Sequence, residues 1–163
     1  MASRASRTLV RVGRVAFLAS VVALVPRAEA AGPFRFFSVP PCRRVDTRNA
    51  NGPVGGPKLN ANSARSFPTL GSCGISATAK AVVFNVTVTE PTDFGDIRIF
   101  PADAITMPLV STINWVTSDF AVANGAIVPV GPNAGNDVTV QVDMPVASMG
   151  QVHLILDVTG YFE

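Results

Sequence analysis

Hydrophobic and polar residues alternate with a period of two along much of the chain after residue 30. In the three clearest runs, at 82–88, 138–144 and 152–158, an apolar side chain occupies every second position. Successive side chains of a β-strand point to opposite faces, so this pattern is typical of strands with one buried and one solvated face.

Shorter apolar runs lie before and between these strands, at 34–39, 65–70, 96–100, 108–116 and 126–130. Segments rich in Gly, Pro, Asn and Asp separate them, as expected for turns, and no helical stripe is present after residue 30. About eight short strands at this spacing predict an all-β domain, an antiparallel β-sandwich of jelly-roll type. Pro129 predicts an edge strand or a bulge, because proline cannot donate to a ladder.

Residues 1–30 have the composition of a signal peptide. Arginines are frequent before residue 15, an uncharged stretch of apolar and small residues spans 15–25, and Ala28 and Ala30 stand at the small-residue positions of a cleavage site. The apolar stretch is shorter than the about 20 residues that cross a bilayer. We therefore expect residues 31–163 to form a single secreted, extracellular domain that is not held in a membrane.

Removal of this leader reverses the net charge of the chain. The leader contains five of the 13 basic residues and one of the 11 acidic residues, which leaves eight basic and ten acidic residues in 31–163. Nucleic-acid binding needs a clustered basic face. We therefore expect no nucleic-acid partner.

Two cysteines, Cys42 and Cys73, lie after the leader. An even number of cysteines in an oxidising compartment predicts a disulfide between them. The alternative is a free, reactive cysteine.

The segment PCRRVDTR at 41–48 concentrates charge near the start of the domain. We expect Asp46 and Arg48 to lie at the end of the first strand, with Arg48 paired to Asp157 of the last strand. Asp46 is expected to accept backbone N–H groups of the following turn. The similarity of VFNVT (83–87) to ILDVT (155–159) matches Asn85 to Asp157, so Asn85 joins this predicted structural polar network.

Both ends of the domain, PCRRVDTR and DVTGYF (157–162), resemble a family of secreted bacterial β-domains. The stretches between them that share this likeness are AVVFNVTVTEP (81–91), STINW (111–115) and FAVANGAIVPVG (120–131). The resemblance covers roughly residues 38–162. It implies export and a β-fold, and it implies no particular reaction.

Candidate catalytic groups are few. His153 is the only histidine, and Asp157 is about 13 Å further along the same strand, too far for a direct hydrogen bond. Glu90, Asp93, Asp96 and Asp103 lie in or beside turns, where carboxylates are common for local hydrogen bonding; we expect Asp96 simply to pair with Arg98. We predict no catalytic residues, and a small secreted hydrolase is the alternative.

A non-enzymatic extracellular module, either structural or binding a cell wall or polysaccharide, is the favoured interpretation. Tyr161, Phe94 and Trp115 are the candidate ligand-binding aromatics, although Trp115 shares its strand face with Leu109 and Ile113, which favours burial. No cofactor is expected. Ca²⁺ is the weak candidate metal, with Asp93, Asp96 and Asp137 as its ligands.

Self-assembly is a further alternative, because some strands are apolar on both faces, as at Val83 and Ile155. On that interpretation the protein is a homo-oligomer or a self-assembling surface component.

Overall fold

A computed structural model describes residues 32–163, and within it Pro33–Glu163 form one compact unit. The expected signal peptide lies outside the described residues. The nine strands are β1 (Phe36–Asp46), β2 (Leu59–Asn60), β3 (Ala64–Phe67), β4 (Ala81–Thr89), β5 (Gly95–Pro101), β6 (Ile113–Trp115), β7 (Ala121–Pro129), β8 (Val138–Asp143) and β9 (Gln151–Phe162). Within residues 32–163 there is no helix long and apolar enough to cross a membrane.

The strands form two antiparallel sheets. Sheet I has the order β1-β9-β4-β7, with the short β2 also paired to β9, and sheet II has the order β3-β8-β5-β6. When β2 is set aside, the remaining eight strands follow the order of a jelly roll, in which neighbours within a sheet are mostly distant in sequence. The predicted all-β sandwich is therefore confirmed.

The core lies between the inner faces of the two sheets. The inward positions of β4, β8 and β9 are those that the alternation predicted, and so is Met144, which directly follows β8. Their side chains are buried: Val82, Phe84, Val86, Val88, Val138, Val140, Val142, Met144, Val152, Leu154, Leu156 and Val158. Burial of this continuous apolar layer is the main stabilisation that a sandwich of this size has.

The last strand, β9, lies inside sheet I, with β1 on one side and β4 on the other. The beginning and end of the domain therefore pair directly, from Phe36 opposite Phe162 to Asp46 opposite Ile155. The ladder between β1 and β9 has two irregularities. The first lies between Ser38 and Cys42, where Pro40 and Pro41 have no backbone N–H to donate to the ladder.

Two regions of the chain differ in how well they match the sequence prediction. β7 pairs only with β4, so Pro129 does lie on an edge strand, as predicted. The expectation that Leu109 faces the core with Trp115 is wrong: strand β6 begins only at Ile113, and Leu109 is 96% exposed in the preceding connection. Pro108 supplies no N–H for a ladder, and its carbonyl is bound by a side chain.

Candidate functional site

The outer face of sheet II carries a row of polar side chains across three strands. Asp143 of β8, Asp96 of β5 and Asn114 of β6 are direct cross-strand neighbours. Their strand neighbours Val142 and Ile97 are buried. The period-two alternation therefore brings the three polar side chains together on the outside.

Two cavities, of about 470 and 400 Å³, share these three residues. We call the combined depression the β5 groove. Its other lining residues include Phe94, Gly95, Arg98, Leu109, Ser111, Trp115, Met144 and Pro145. The groove thus has a polar floor, an apolar wall at the Phe94 end, and a mixed opposite end where Arg98 and Ser111 accompany Leu109. Apolar surface beside a few convergent polar groups is typical of small-ligand sites.

Phe94 forms an apolar wall of the groove, with 56% of its surface exposed. Its turn is fixed from several directions: Trp115 Nε1 donates to the Asp93 carbonyl (2.8 Å), and Asp93 accepts from the Phe94 N–H (2.9 Å) and from Ser148 Oγ (2.7 Å). The backbone that carries the ring is therefore fixed before any ligand arrives, which reduces the entropy lost on binding.

Arg98 fixes the other end of the groove. Its Nε and Nη2 donate to the two carboxylate oxygens of Asp143 at 2.7 and 2.6 Å, and its Nη1 donates to the Pro108 carbonyl at 3.0 Å. This last bond positions the segment that carries Leu109. The expected pairing of Arg98 with Asp96 is wrong, because the guanidinium is directed across the ladder to β8.

Asp96 is the free carboxylate of the groove: no side chain or backbone group in residues 32–163 donates a hydrogen bond to it. Burial and the neighbouring Asp143 carboxylate raise the pKa of Asp96. Asn114 lies beside it and donates to Ser111 Oγ (2.9 Å). Both side chains retain oxygens that can accept hydrogen bonds from hydroxyl groups of a ligand.

Gly95 allows β5 and β8 to approach closely beneath the groove. A Cβ at this position would lie 2.3 Å from the Asp143 carbonyl oxygen and 3.1 Å from the Trp115 ring. Sequence reasoning identified Phe94, Trp115 and Asp96 separately, but it missed Asn114 and Asp143. Their outward parity was readable from the alternation, whereas the register that joins three strands was not.

The charged network at the start of the domain has different pairs from those expected. Arg43, not Arg48, binds Asp157, with Nε–Oδ1 and Nη2–Oδ2 distances of 2.8 and 3.1 Å. Arg48 instead donates to Asp46 at 2.8 and 2.7 Å. The predicted pairing of Arg48 with Asp157 is therefore wrong, since the register places Arg43 opposite Asp157.

Asp46 does accept a backbone N–H of the following turn, from Arg48 at 3.1 Å. The hydrogen bonds from the Arg48 side chain, together with this backbone bond, lower the pKa of Asp46 to about 2. Asn85 lies opposite Asp157 in the ladder, and both residues line a cavity of about 520 Å³ on the outer face of sheet I. Arg43 and Asp157 bind each other here as Arg98 and Asp143 do in the β5 groove, but no aromatic side chain of residues 32–163 lines this cavity, so we assign this surface a structural role.

A chain of polar groups runs through His153. Thr47 Oγ1 lies 3.1 Å from His153 Nδ1, and His153 Nε2 lies 4.0 Å from Glu90 Oε2. The order hydroxyl, imidazole, carboxylate matches that of a hydrolytic triad. However, Thr47 is 1% exposed, and its hydroxyl contacts both the N–H and the carbonyl of Leu154. A substrate cannot reach this hydroxyl, so the array stabilises the end of β1.

The remaining candidates lie apart from the groove or have other partners. Tyr161, expected at the surface, is half-buried and stacks on Phe37 with ring centroids 5.2 Å apart. Asp137 is buried and accepts the N–H groups of Thr69 and Leu70. Within residues 32–163 no three His, Cys, Asp or Glu side chains are grouped to hold a metal ion, so Asp93, Asp96 and Asp137 do not form one site.

Comparison with protein-family models, with curated proteins and with solved structures finds no match to this chain. The geometry of the β5 groove is therefore the basis for assigning a function.

Proposed function

We propose that the protein is a secreted, non-enzymatic module that binds carbohydrate in the β5 groove. The observation that carries the proposal is the exposed ring of Phe94, on a hydrogen-bonded turn, beside the free carboxylate of Asp96 and the amide of Asn114. A sugar ring has an apolar C–H face and a rim of hydroxyl groups. The aromatic ring offers flat apolar area to the former, and the polar floor accepts hydrogen bonds from the latter.

Export is part of this proposal. The Cys42–Cys73 disulfide supports it, because disulfides persist in oxidising compartments outside the cytosol. The composition of residues 1–30 supports it independently.

The chemistry of the groove favours binding over hydrolysis. Glycoside cleavage uses two carboxylates, one on each side of the scissile bond. Asp96 and Asp143 are adjacent, but both oxygens of Asp143 already accept hydrogen bonds from Arg98. Only Asp96 remains available to a ligand, which suits a recognition site.

The test is co-sedimentation of the purified protein with insoluble polysaccharides and with bacterial cell walls. We expect selective depletion from the supernatant by at least one of these materials, without release of reducing ends. Absence of depletion by all of them would contradict carbohydrate binding. Steady release of reducing ends would favour the hydrolase.

Phe94→Ala is expected to weaken this binding roughly tenfold or more, because it removes the stacking surface and leaves the fold intact. Phe120→Ala is the matched control. Phe120 is 78% exposed in the β6–β7 connection and does not line the groove. Equal losses in the two variants would show that general surface apolarity, not the groove, drives binding.

A further inference from the structure

The four edges of the two sheets differ in how they are protected from pairing with another chain. β1 has Pro40, Pro41, two register irregularities and the disulfide of Cys42. The edge strands of sheet II, β3 and β6, are only four and three residues long. Prolines, irregularities and short length all limit edge-to-edge association. The fourth edge, β7, has nine residues.

The free side of β7 can be identified from its hydrogen bonds. The Val130 N–H donates to the Lys80 carbonyl at one end of the strand, and the Phe120 carbonyl accepts from the Glu90 N–H at the other. The N–H and C=O groups of the even-numbered residues of β7 therefore face β4. The N–H and C=O groups of the odd-numbered residues point to the other side of the strand, away from the sheet. They belong to Ala121, Ala123, Gly125, Ile127 and Pro129. No backbone group elsewhere in residues 32–163 bonds to them.

The side chains of β7 leave this edge accessible. The strand contains no charged residue, and the outward side chains of Ala121, Ala123 and Ile127 are exposed, Ile127 by 62%. Pro129 removes a donor only at the last position. Such an edge lacks the lysines and inward charges by which proteins ordinarily prevent strand pairing.

We propose that β7 pairs with β7 of a second copy of this chain, antiparallel and centred on Gly125. This register places Ala123 opposite Ile127 of the second copy, Val122 opposite Val128, and Asn124 opposite Ala126. Each exposed Ile127 thus faces a small residue, and no charge is opposed by another. The two glycines meet at the symmetry axis without side chains, and the free groups bond reciprocally.

This self-complementarity favours a second copy over an unrelated strand. An isologous contact uses the same surface of both copies, so the strand must be complementary to the same strand running in the opposite direction. β7 meets this condition, because in the proposed register no two large outward side chains and no two charges oppose each other. Pairing joins sheet I of both copies into one continuous sheet, with the order β1-β9-β4-β7 followed by the reverse order β7-β4-β9-β1, and each β2 stays paired to its own β9. The proposal does not depend on carbohydrate binding.

The first test measures molecular mass against concentration by sedimentation equilibrium. The native protein is expected to reach twice the single-chain mass. Gly125→Pro removes a free N–H that β4 does not use, and it is expected to stay monomeric. Gly125→Ala keeps that N–H and meets no atom within 4 Å, so it is expected to dimerise like the native protein. A native monomer throughout, or a Gly125→Pro dimer of native affinity, would overturn the proposal.

The second test locates the axis with a short bifunctional maleimide. The two Gly125 Cα atoms would lie about 5.5 Å apart, so Gly125→Cys is expected to cross-link to itself. In Ala121→Cys the two sites would be about 27 Å apart, and it is expected not to cross-link. The native cysteines are joined to each other and do not react. Failure of the first variant, or equal cross-linking of both, would refute the register.

Discussion

Replacing Cys42 and Cys73 together with alanine is expected to lower the free energy of unfolding by about 3–4 kcal/mol. The disulfide joins residues 31 positions apart and ties the edge strand β1 to the segment between β3 and β4. Without it the unfolded chain gains the freedom of that loop. The same change removes the covalent link of β1 to that segment and leaves β1 held by non-covalent contacts, chief among them its ladder with β9.

Equilibrium unfolding in denaturant measures this effect. The native protein treated with a thiol reductant is the matched control, since it loses the same bond without a change in side-chain volume. The double variant and the reduced protein should unfold at the same, lower denaturant concentration. If both unfold where the oxidised protein does, the disulfide contributes nothing to stability.

Asp46→Asn is expected to lower stability at neutral pH by about 2 kcal/mol, and this difference should disappear in acid. The buried carboxylate prefers its ionised form because Arg48 donates to both of its oxygens. Its pKa is about 2 in the folded protein, against an ordinary value of 3.8. A depressed pKa stabilises the fold above pH 3.8, and this contribution is lost as the pH falls through about 2.

The measurement compares the free energies of unfolding of the native protein and the Asp46→Asn variant from about pH 7 down to about pH 2, the range over which a depressed carboxyl pKa acts on stability. Subtracting one from the other removes the contributions of the remaining carboxylates. Arg48→Met serves as the second variant, because it removes the largest cause of the pKa shift and keeps the carboxylate. It should lose most of the acid dependence assigned to Asp46. A native-minus-variant difference of the same size at both ends of the pH range would exclude this linkage.

The sandwich was predictable because its strands alternate so regularly. About one residue in two along β4, β8 and β9 is apolar and buried. A shift of one residue in the pairing of such a strand would turn all of these apolar side chains to the solvent, so the pattern fixes which face is buried. Connections were less predictable. The apolar run around Leu109 has the composition of a strand, but the bond from Arg98 to the Pro108 carbonyl holds it outside the sheet.

The groove was predictable only in part, because it depends on strand register. Phe94 and Asp96 are near neighbours in sequence, whereas Asp143 joins them through the pairing of β5 with β8. The same limit explains the exchanged arginines. Arg43 and Arg48 are equivalent by composition, and only the irregular ladder between β1 and β9 decides which of them reaches Asp157.

The position of β9 between β1 and β4 has a consequence for the order in which the protein folds. The first and last strands of the domain are neighbours, so sheet I cannot close until the final residues of β9 have been synthesised. Contacts between such distant segments make folding slow. A growing chain therefore cannot complete sheet I during translation. This delay suits the proposed export, because a chain without a finished tertiary structure is the form that can pass through a narrow membrane channel.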